Sequence, residues 1–148
     1  MSEIIQNKLY LGNIYDANDI KFIKDNNITT IITTANKCSL NDEILQFVKH
    51  HQFLIEDKHT FNIAKFFNEI CDIIENEINN NGCVLVHCWS GISRSVCCTI
   101  AYLMKYKEKS YLEAWRMIYY QRDIINMNDG FVEQLAELEL ELYGINSV

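Results

Sequence analysis

The stretch from Cys83 to Met104 constrains this chain more than any other, because a short apolar block passes through a tight polar loop into a long apolar one. Cys83-Val84-Leu85-Val86 has the length and composition of a buried strand, and Val96 to Met104 those of a buried helix. The loop His87-Cys88-Trp89-Ser90-Gly91-Ile92-Ser93-Arg94-Ser95 therefore falls at a strand-to-helix junction. Such a junction aims backbone N–H groups and the positive end of a helix dipole at one point, which makes it an anion site. Cys88 and Arg94 stand at its two ends. A thiol in that field is expected to ionise below its ordinary value of about 8.5, toward the ~3.5–7.5 range of reactive cysteines, and to act as a nucleophile. Arg94 offers a planar fork of donors that can hold two phosphoryl oxygens and follow the charge developing on them. Trp89, Ser90, Gly91, Ile92 and Ser93 form the rest of the cradle, with Gly91 where the backbone must come close to its ligand. Cysteine is also a common core residue. Here, however, His87 precedes it, Gly91 follows three positions later, Ser95 follows the arginine, and strand and helix flank the whole.

The remaining chain alternates strands and helices, the pattern of an α/β domain. Leu9 to Leu11 and Ile28 to Thr33 read as strands, separated by a helix with Asp16 as N-cap and Asp19 at its third position, stopping at Asn26-Asn27. Gln52 to Ile55 reads as another strand. Lys37 to His51 stays ambiguous, with room for a short helix through Ile44, Phe47 and Val48. From Asn62, residues Ile63, Phe66, Phe67, Ile70, Ile74 and Ile78 follow the helical period, opposite Lys65, Glu69, Asp72 and Glu75. Asn79-Asn80-Asn81-Gly82 reads as a turn. Three helices follow, at Ser93 to Tyr106, Tyr111 to Tyr120 and Phe131 to Tyr143. In the last, Phe131, Leu135, Leu138 and Leu142 share a face, while Glu133, Glu137, Glu139 and Glu141 read as solvated.

The loop, in the form HCxxGxxRS, resembles the active-site signature of the cysteine-dependent protein tyrosine phosphatases, specifically the dual-specificity protein phosphatase family. Lys8-Leu9-Tyr10-Leu11-Gly12-Asn13 is similar to that family's opening strand and turn, and Ala101-Tyr102-Leu103-Met104 to a segment typical of it. Arg122, Ile124-Ile125, Asn128, Gly130-Phe131 and Gln134-Leu135 resemble its approach to the last helix, so the likeness runs from Lys8 to Leu142. It implies a central mixed sheet of four or five strands flanked by helices, with the phosphate loop at the carboxyl edge. It also implies a general acid, an aspartate about thirty residues before the nucleophile. Asp57 lies 31 residues before Cys88 and Glu56 adjoins it, so Asp57 is the expected proton donor to the leaving group, with Glu56 as the alternative. Ser95 is read as a donor to the Cys88 sulfur or as a helix cap, and Asn128 as the cap of the last helix or a brace for the catalytic loop. His87 is read as a buried brace that bonds backbone carbonyls, and His59 as a surface residue.

Composition narrows the function. At 148 residues, about half of them apolar, residues 1–148 are expected to form one catalytic domain. No uncharged apolar run could cross a bilayer, and Met1-Ser2-Glu3 lacks the basic-then-apolar pattern of a signal peptide, so a cytoplasmic location, with the nucleus open to it, is expected. Cys38, Cys71, Cys83, Cys88, Cys97 and Cys98 lack a secreted-type spacing and read as reduced thiols. The missing Cys-x2-Cys pairs argue against a structural zinc site, and the resemblance implies chemistry with neither a metal nor any other cofactor. A net charge of −7 disfavours nucleic acid and anionic membranes as general partners. The reaction that the resemblance implies is hydrolysis of phosphotyrosine and phosphoserine or phosphothreonine in phosphoprotein substrates, through a phosphocysteine intermediate. The same chemistry on phosphoinositides or RNA 5′ phosphates, and phosphate binding without turnover, are the alternatives.

Overall fold

Five strands form one mixed sheet, and its central strand ends at the catalytic loop. The computed structural model describes residues 1–148. In chain order the elements are β1 (Ser2–Ile5), β2 (Leu9–Gly12), α1 (Ile14–Ala17), α2 (Ile20–Asp25), β3 (Thr30–Thr33), α3 (Asp42–Leu45) and β4 (Lys49–Gln52). A 3-10 turn (Ile63–Phe66) then leads into α4 (Phe67–Asn79), followed by β5 (Val84–His87), α5 (Arg94–Tyr106), α6 (Tyr111–Gln121) and α7 (Asp129–Tyr143). The strand order is β1-β2-β5-β3-β4, with β1 antiparallel to β2 and every other pair parallel. Parallel strands covered on both faces are largely apolar, and all residues of β2, β3 and β5 are buried, the polar Thr30, Thr33 and His87 among them. The edge strand β4, Lys49-His50-His51-Gln52, is polar and partly exposed, which suits an edge that must not recruit another strand.

Two apolar layers cover the sheet. On one face Leu9, Leu11, Ile32, Val84 and Val86 meet side chains of α4 to α7 in a cluster of 27 buried residues. On the other face Tyr10, Ile31 and Leu85 meet Ile14, Ala17, Ile23 and Ile44 of the short helices α1 to α3, in a cluster of 14. Helix α5 leaves the centre of the sheet directly behind the loop and is apolar nearly all round because it is buried from Ser95 to Met104.

Four details depart from the sequence reading. Asp16 is not an N-cap: Asn13 caps α1, with Asp16 closing a reciprocal capping box, and Asp19 caps a separate helix, α2. The strand expected at Gln52 to Ile55 lies at Lys49–Gln52 instead. The regular β3–β4 pairing ends at Thr33 and Gln52; past it only two backbone bonds continue, Phe53 N to Thr33 O at 2.8 Å and Asn36 N to Ile55 O at 3.0 Å, so Phe53 to Ile55 run on as irregular chain. Glu139 is fully buried rather than solvated, accepting hydrogen bonds from Tyr111 N and from Ser147 N and Oγ. Strand β1 had no forerunner in the sequence reading.

Candidate active site

The loop after β5 is shaped by where its carbonyls go. Cys88 O meets His87 Nδ1 at 3.0 Å, Trp89 O accepts from Ile14 N at 3.1 Å, and Gly91 O accepts from Arg122 Nε at 2.8 Å. Ser90 O accepts from Arg122 Nη2 at 3.4 Å, Ile92 O from Asn126 N at 2.8 Å, and Ser93 O from Cys97 N at 2.9 Å. In a trans peptide the N–H points opposite to the preceding C=O. Holding the carbonyls of Cys88 through Ser93 outward therefore turns the next amides inward. Gly91 N donates to Cys88 Sγ at 3.2 Å, and Ser95 Oγ lies 3.1 Å from the same sulfur. Cys88 is thus held at the floor of a ring of donors at the start of α5.

Gly91 has φ +71°, and an added Cβ would stand 2.5 Å from Arg122 Nη2 and 2.6 Å from Gly12 O, so the loop admits no side chain there. Arg122 is almost wholly buried and also reaches Ser2 Oγ at 3.2 Å, tying the loop to β1. Its sequence neighbourhood pointed to a family resemblance but not to this clamp, and no local spacing could have: the two carbonyls it serves lie more than thirty positions away.

Arg94 is anchored on one side only. Its Nη1 donates to Asn36 Oδ1 at 3.0 Å and to Ile55 O at 2.9 Å, while its buried Nε has no partner within the chain. An orphaned buried donor is costly unless a ligand meets it. The fork is therefore pre-aimed, with Nε left for an oxyanion. Asn36 had no sequence signal, since its partner lies 58 positions away.

Asp57 is exposed, and its Oδ1 accepts from Ser93 Oγ and from Asn128 Nδ2, both at 2.8 Å. Asn128 Oδ1 also caps α7 by accepting from Phe131 N. The Asn128 side chain thus caps α7 and meets Asp57, while its backbone N reaches the catalytic loop at Ser93 Oγ, 3.3 Å away. Ser93 is nearly buried and its hydroxyl turns toward Asp57, not toward the cradle. Glu56 pairs with Lys58 at 2.9 Å, and that bond and charge hold its carboxyl below the ordinary carboxylate range. Glu56 is thus engaged with Lys58, while Asp57 is held by Ser93 and Asn128.

Two hollows open over Arg94. One, of about 320 Å³, is lined by Asn36, Lys37, Trp89 and Arg94; the other, of about 400 Å³, by Asn36, Lys37, Glu56, Asp57, Lys58 and Arg94. The guanidinium and Asp57 therefore face one shared opening, with the half-exposed Trp89 as a wall. The six cysteines are unpaired. Burial pushes the Cys71 thiol up to about 12 and the Cys83 thiol up to about 11, and raises Cys97 and Cys98 well above the ordinary thiol value. Burial thus disfavours the thiolate form of all four. Burial also pushes His87 down to about 4, so its imidazole is neutral at physiological pH.

This geometry is matched by similarity to known proteins. Residues 9–141 match the family model described as dual specificity phosphatase, catalytic domain. The chain is 36% identical over 135 residues to rat dual specificity protein phosphatase 5, which covers 90% of this chain but only 34% of that protein. It is 33% identical over 144 residues to human dual specificity protein phosphatase 18, covering 97% of this chain and 76% of that one. The chain thus spans about a third of the first relative and three quarters of the second. Among solved structures, human tyrosine phosphatase-like serine/threonine/tyrosine-interacting protein superposes with a TM-score of 0.89 at 32% identity, covering 95% of this chain and 96% of that chain. A nucleophile loop with its carbonyls turned out, an arginine aimed across it and a family match over nearly the whole chain lead to one assignment: the protein belongs to the dual specificity phosphatase family of cysteine-dependent protein phosphatases.

Proposed function

We propose that residues 1–148 form one catalytic domain that hydrolyses phosphotyrosine and phosphoserine or phosphothreonine in phosphoproteins through a phosphocysteine intermediate. The observation that carries this reading is Cys88 Sγ held by Gly91 N and Ser95 Oγ in a loop whose carbonyls are bonded outward, with Arg94 Nε buried and unpaired in the same loop. The Cys88 thiolate attacks phosphorus, the P–O bond to the substrate breaks, and Asp57 gives its proton to the leaving oxygen. The inward amides and Arg94 hold the three equatorial oxygens as charge shifts among them. Water then attacks the phosphocysteine, Asp57 takes its proton, and the P–S bond breaks to return the thiolate, which accepts a hydrogen bond from Ser95 Oγ. Ser93 and Asn128 hold Oδ1 of Asp57, leaving Oδ2 for the proton.

The opening above Arg94 is broad rather than a narrow slot, which suits short phosphothreonine as well as phosphotyrosine. A net charge of −7 gives little to hold an inositol polyphosphate head group, nucleic acid or an anionic membrane. No helix is long and apolar enough to cross a membrane. We assign the protein to the cytoplasm, where six unpaired cysteines stay reduced.

Two substitutions test the chemistry. Cys88→Ser is expected to abolish release of phosphate from an aryl phosphate and from phosphopeptides while retaining oxyanion binding; turnover equal to wild type would refute the covalent route. Asp57→Asn is expected to slow phosphotyrosine and phosphothreonine peptides by ~10²–10⁴-fold, and an aryl phosphate with a low-pKa leaving group much less. An equal loss on all substrates would move the acid elsewhere. Binding without turnover by the unsubstituted protein would favour a phosphate-binding module, a reading given weight by the structural neighbour named tyrosine phosphatase-like and interacting.

A further inference from the structure

One buried polar chain lies outside the machinery described so far. His87, Thr33 and His50 sit on three adjacent strands and face the same side of the sheet. Thr33 is directly opposite His87 in the β3–β5 ladder, while His50 of β4 is opposite Ile31, two residues from Thr33 and hence on its face. Thr33 Oγ1 lies 2.7 Å from His87 Nε2 and 2.7 Å from His50 Nε2. Thr33 and His87 are completely buried and His50 is half-buried at the sheet edge. One atom sets the direction of the whole chain. Cys88 O can only accept, so His87 Nδ1, 3.0 Å away, must carry the proton. Neutral His87 then has a bare Nε2, which requires a donor. Thr33 has a single hydroxyl proton and must give it to His87, so toward His50 it can only accept, and His50 Nε2 must be protonated.

We propose, building on the phosphatase reading above, that His50 and Thr33 are positioning residues which, from the sheet edge, hold His87 in the Nδ1–H tautomer that fastens the Cys88 carbonyl outward. His50 supplies the donor that turns the Thr33 proton inward. If either link is lost, His87 is free to protonate Nε2 instead, which leaves Cys88 O without its donor and frees the first peptide of the nucleophile loop to rotate. The reverse polarity is available to the same atoms, but it leaves that carbonyl, next to the nucleophile, unsatisfied. The groups facing His87 are Asp16 after β2, Arg94 of α5 and His50 of β4, and the group facing His50 is His51. The Thr33 hydroxyl is the hydrogen-bond partner of His87 Nε2.

Two measurements test the relay, and the first does not depend on turnover. In protein labelled with 15N in its histidines, the ring nitrogens should report His87 as Nδ1–H with bare Nε2, and His50 with a protonated Nε2. A His87 Nε2–H tautomer, or a bare His50 Nε2, overturns the relay whatever the protein's activity. The second measurement follows hydrolysis of an aryl phosphate. Thr33→Val keeps the shape and removes the hydroxyl, and is expected to lower kcat about tenfold, the weight of one hydrogen bond near the top of its usual range, with KM unchanged. Thr33→Ser should restore kcat, and His50→Leu should give an intermediate loss that His50→Gln, which keeps an N–H, reverses. Wild-type kcat in Thr33→Val, or no rescue by Ser when that variant's ring nitrogens match wild type, would refute the positioning role. Absence of turnover in the unsubstituted protein would count against the phosphatase reading alone.

Discussion

The two faces of the sheet solve different problems. One carries four helices of 11 to 15 residues over 27 buried side chains, while the other carries three helices of four to six residues over 14. A four-residue helix buries little and gains little from its own hydrogen bonds, so it persists through caps and through what it touches. One such contact is a polar joint to the loop, Ile14 N to Trp89 O, and the end of β3 adds two more, Thr34 to His87 O and Thr33 to His87. The thick face supplies cohesion. The thin face, together with the Arg122 clamp, sets the direction of backbone groups, and that is what a phosphate cradle requires.

If this division holds, a cavity on the thick face should cost the most stability. Phe131 of α7 is fully buried in the larger cluster, and Phe131→Ala is expected to destabilise by ~3–5 kcal/mol. Ile44 of α3 is equally buried, but its four-residue helix and flanking loop can collapse onto the gap, so Ile44→Ala should lie near the lower end, about 2 kcal/mol. Urea unfolding of both variants measures the difference. An equal cost would mean that the thin layer is as tightly packed as the thick one.

The catalytic loop, where the two faces meet, should lose function before it loses stability. Gly91→Ala forces a methyl against Arg122 Nη2 and Gly12 O in a left-handed backbone, and the backbone has nowhere to go but inward. A shift of about 1 Å in the donors around Cys88 is worth ~100-fold in kcat/KM, equivalent to about 2.7 kcal/mol of transition-state stabilisation. The unfolding midpoint of Gly91→Ala should stay above that of Phe131→Ala. If stability falls further than activity, the loop is a packing element rather than an aiming one.

The same division accounts for what could be read from the chain. Helices α4 to α7 are long enough for their apolar period to repeat, and the loop carries its chemistry within nine residues, so both are legible in one dimension. Helices α1 to α3 are too short for a period, and only their caps signal them; Asn13 and Asp19 do this work, although Asp16 looks equally suitable in sequence. Strand β4 is polar because it is an edge, which hides it from a search for alternating apolar residues. The joints made by Arg122, Asn36, Thr33 and His50 connect positions 17 to 58 residues apart, and the fold, not spacing, brings them together. Glu139 teaches a different lesson. It lies four residues after Leu135 and so belongs to the inner face of α7, but the alternating glutamates around it conceal that position.

Glu139 is also the exception that sharpens the contrast between faces, since it places a carboxylate in the thick, otherwise apolar layer. Its oxygens accept from Tyr111 N at the start of α6 at 2.7 Å and from Ser147 N and Oγ, both at 2.6 Å, joining α6, α7 and the C-terminal segment. Burial pushes its carboxyl up, but the bonds from Ser147 and Tyr111 together outweigh burial and hold it below the ordinary carboxylate value. A depressed folded-state pKa means that the charged form stabilises the fold. That stability is fully present above the unfolded value of about 4.3 and is lost as pH falls through the folded one. Glu139→Gln keeps the shape but brings an amide NH2 toward groups that are themselves donors, and should cost about 1–2 kcal/mol at neutral pH. The difference in unfolding free energy between wild type and Glu139→Gln should then shrink as the pH is lowered from 6 toward about 3. A difference that stays constant over that range would mean that Glu139 acts through its shape alone, and the thick face would then be as indifferent to charge as its composition suggests.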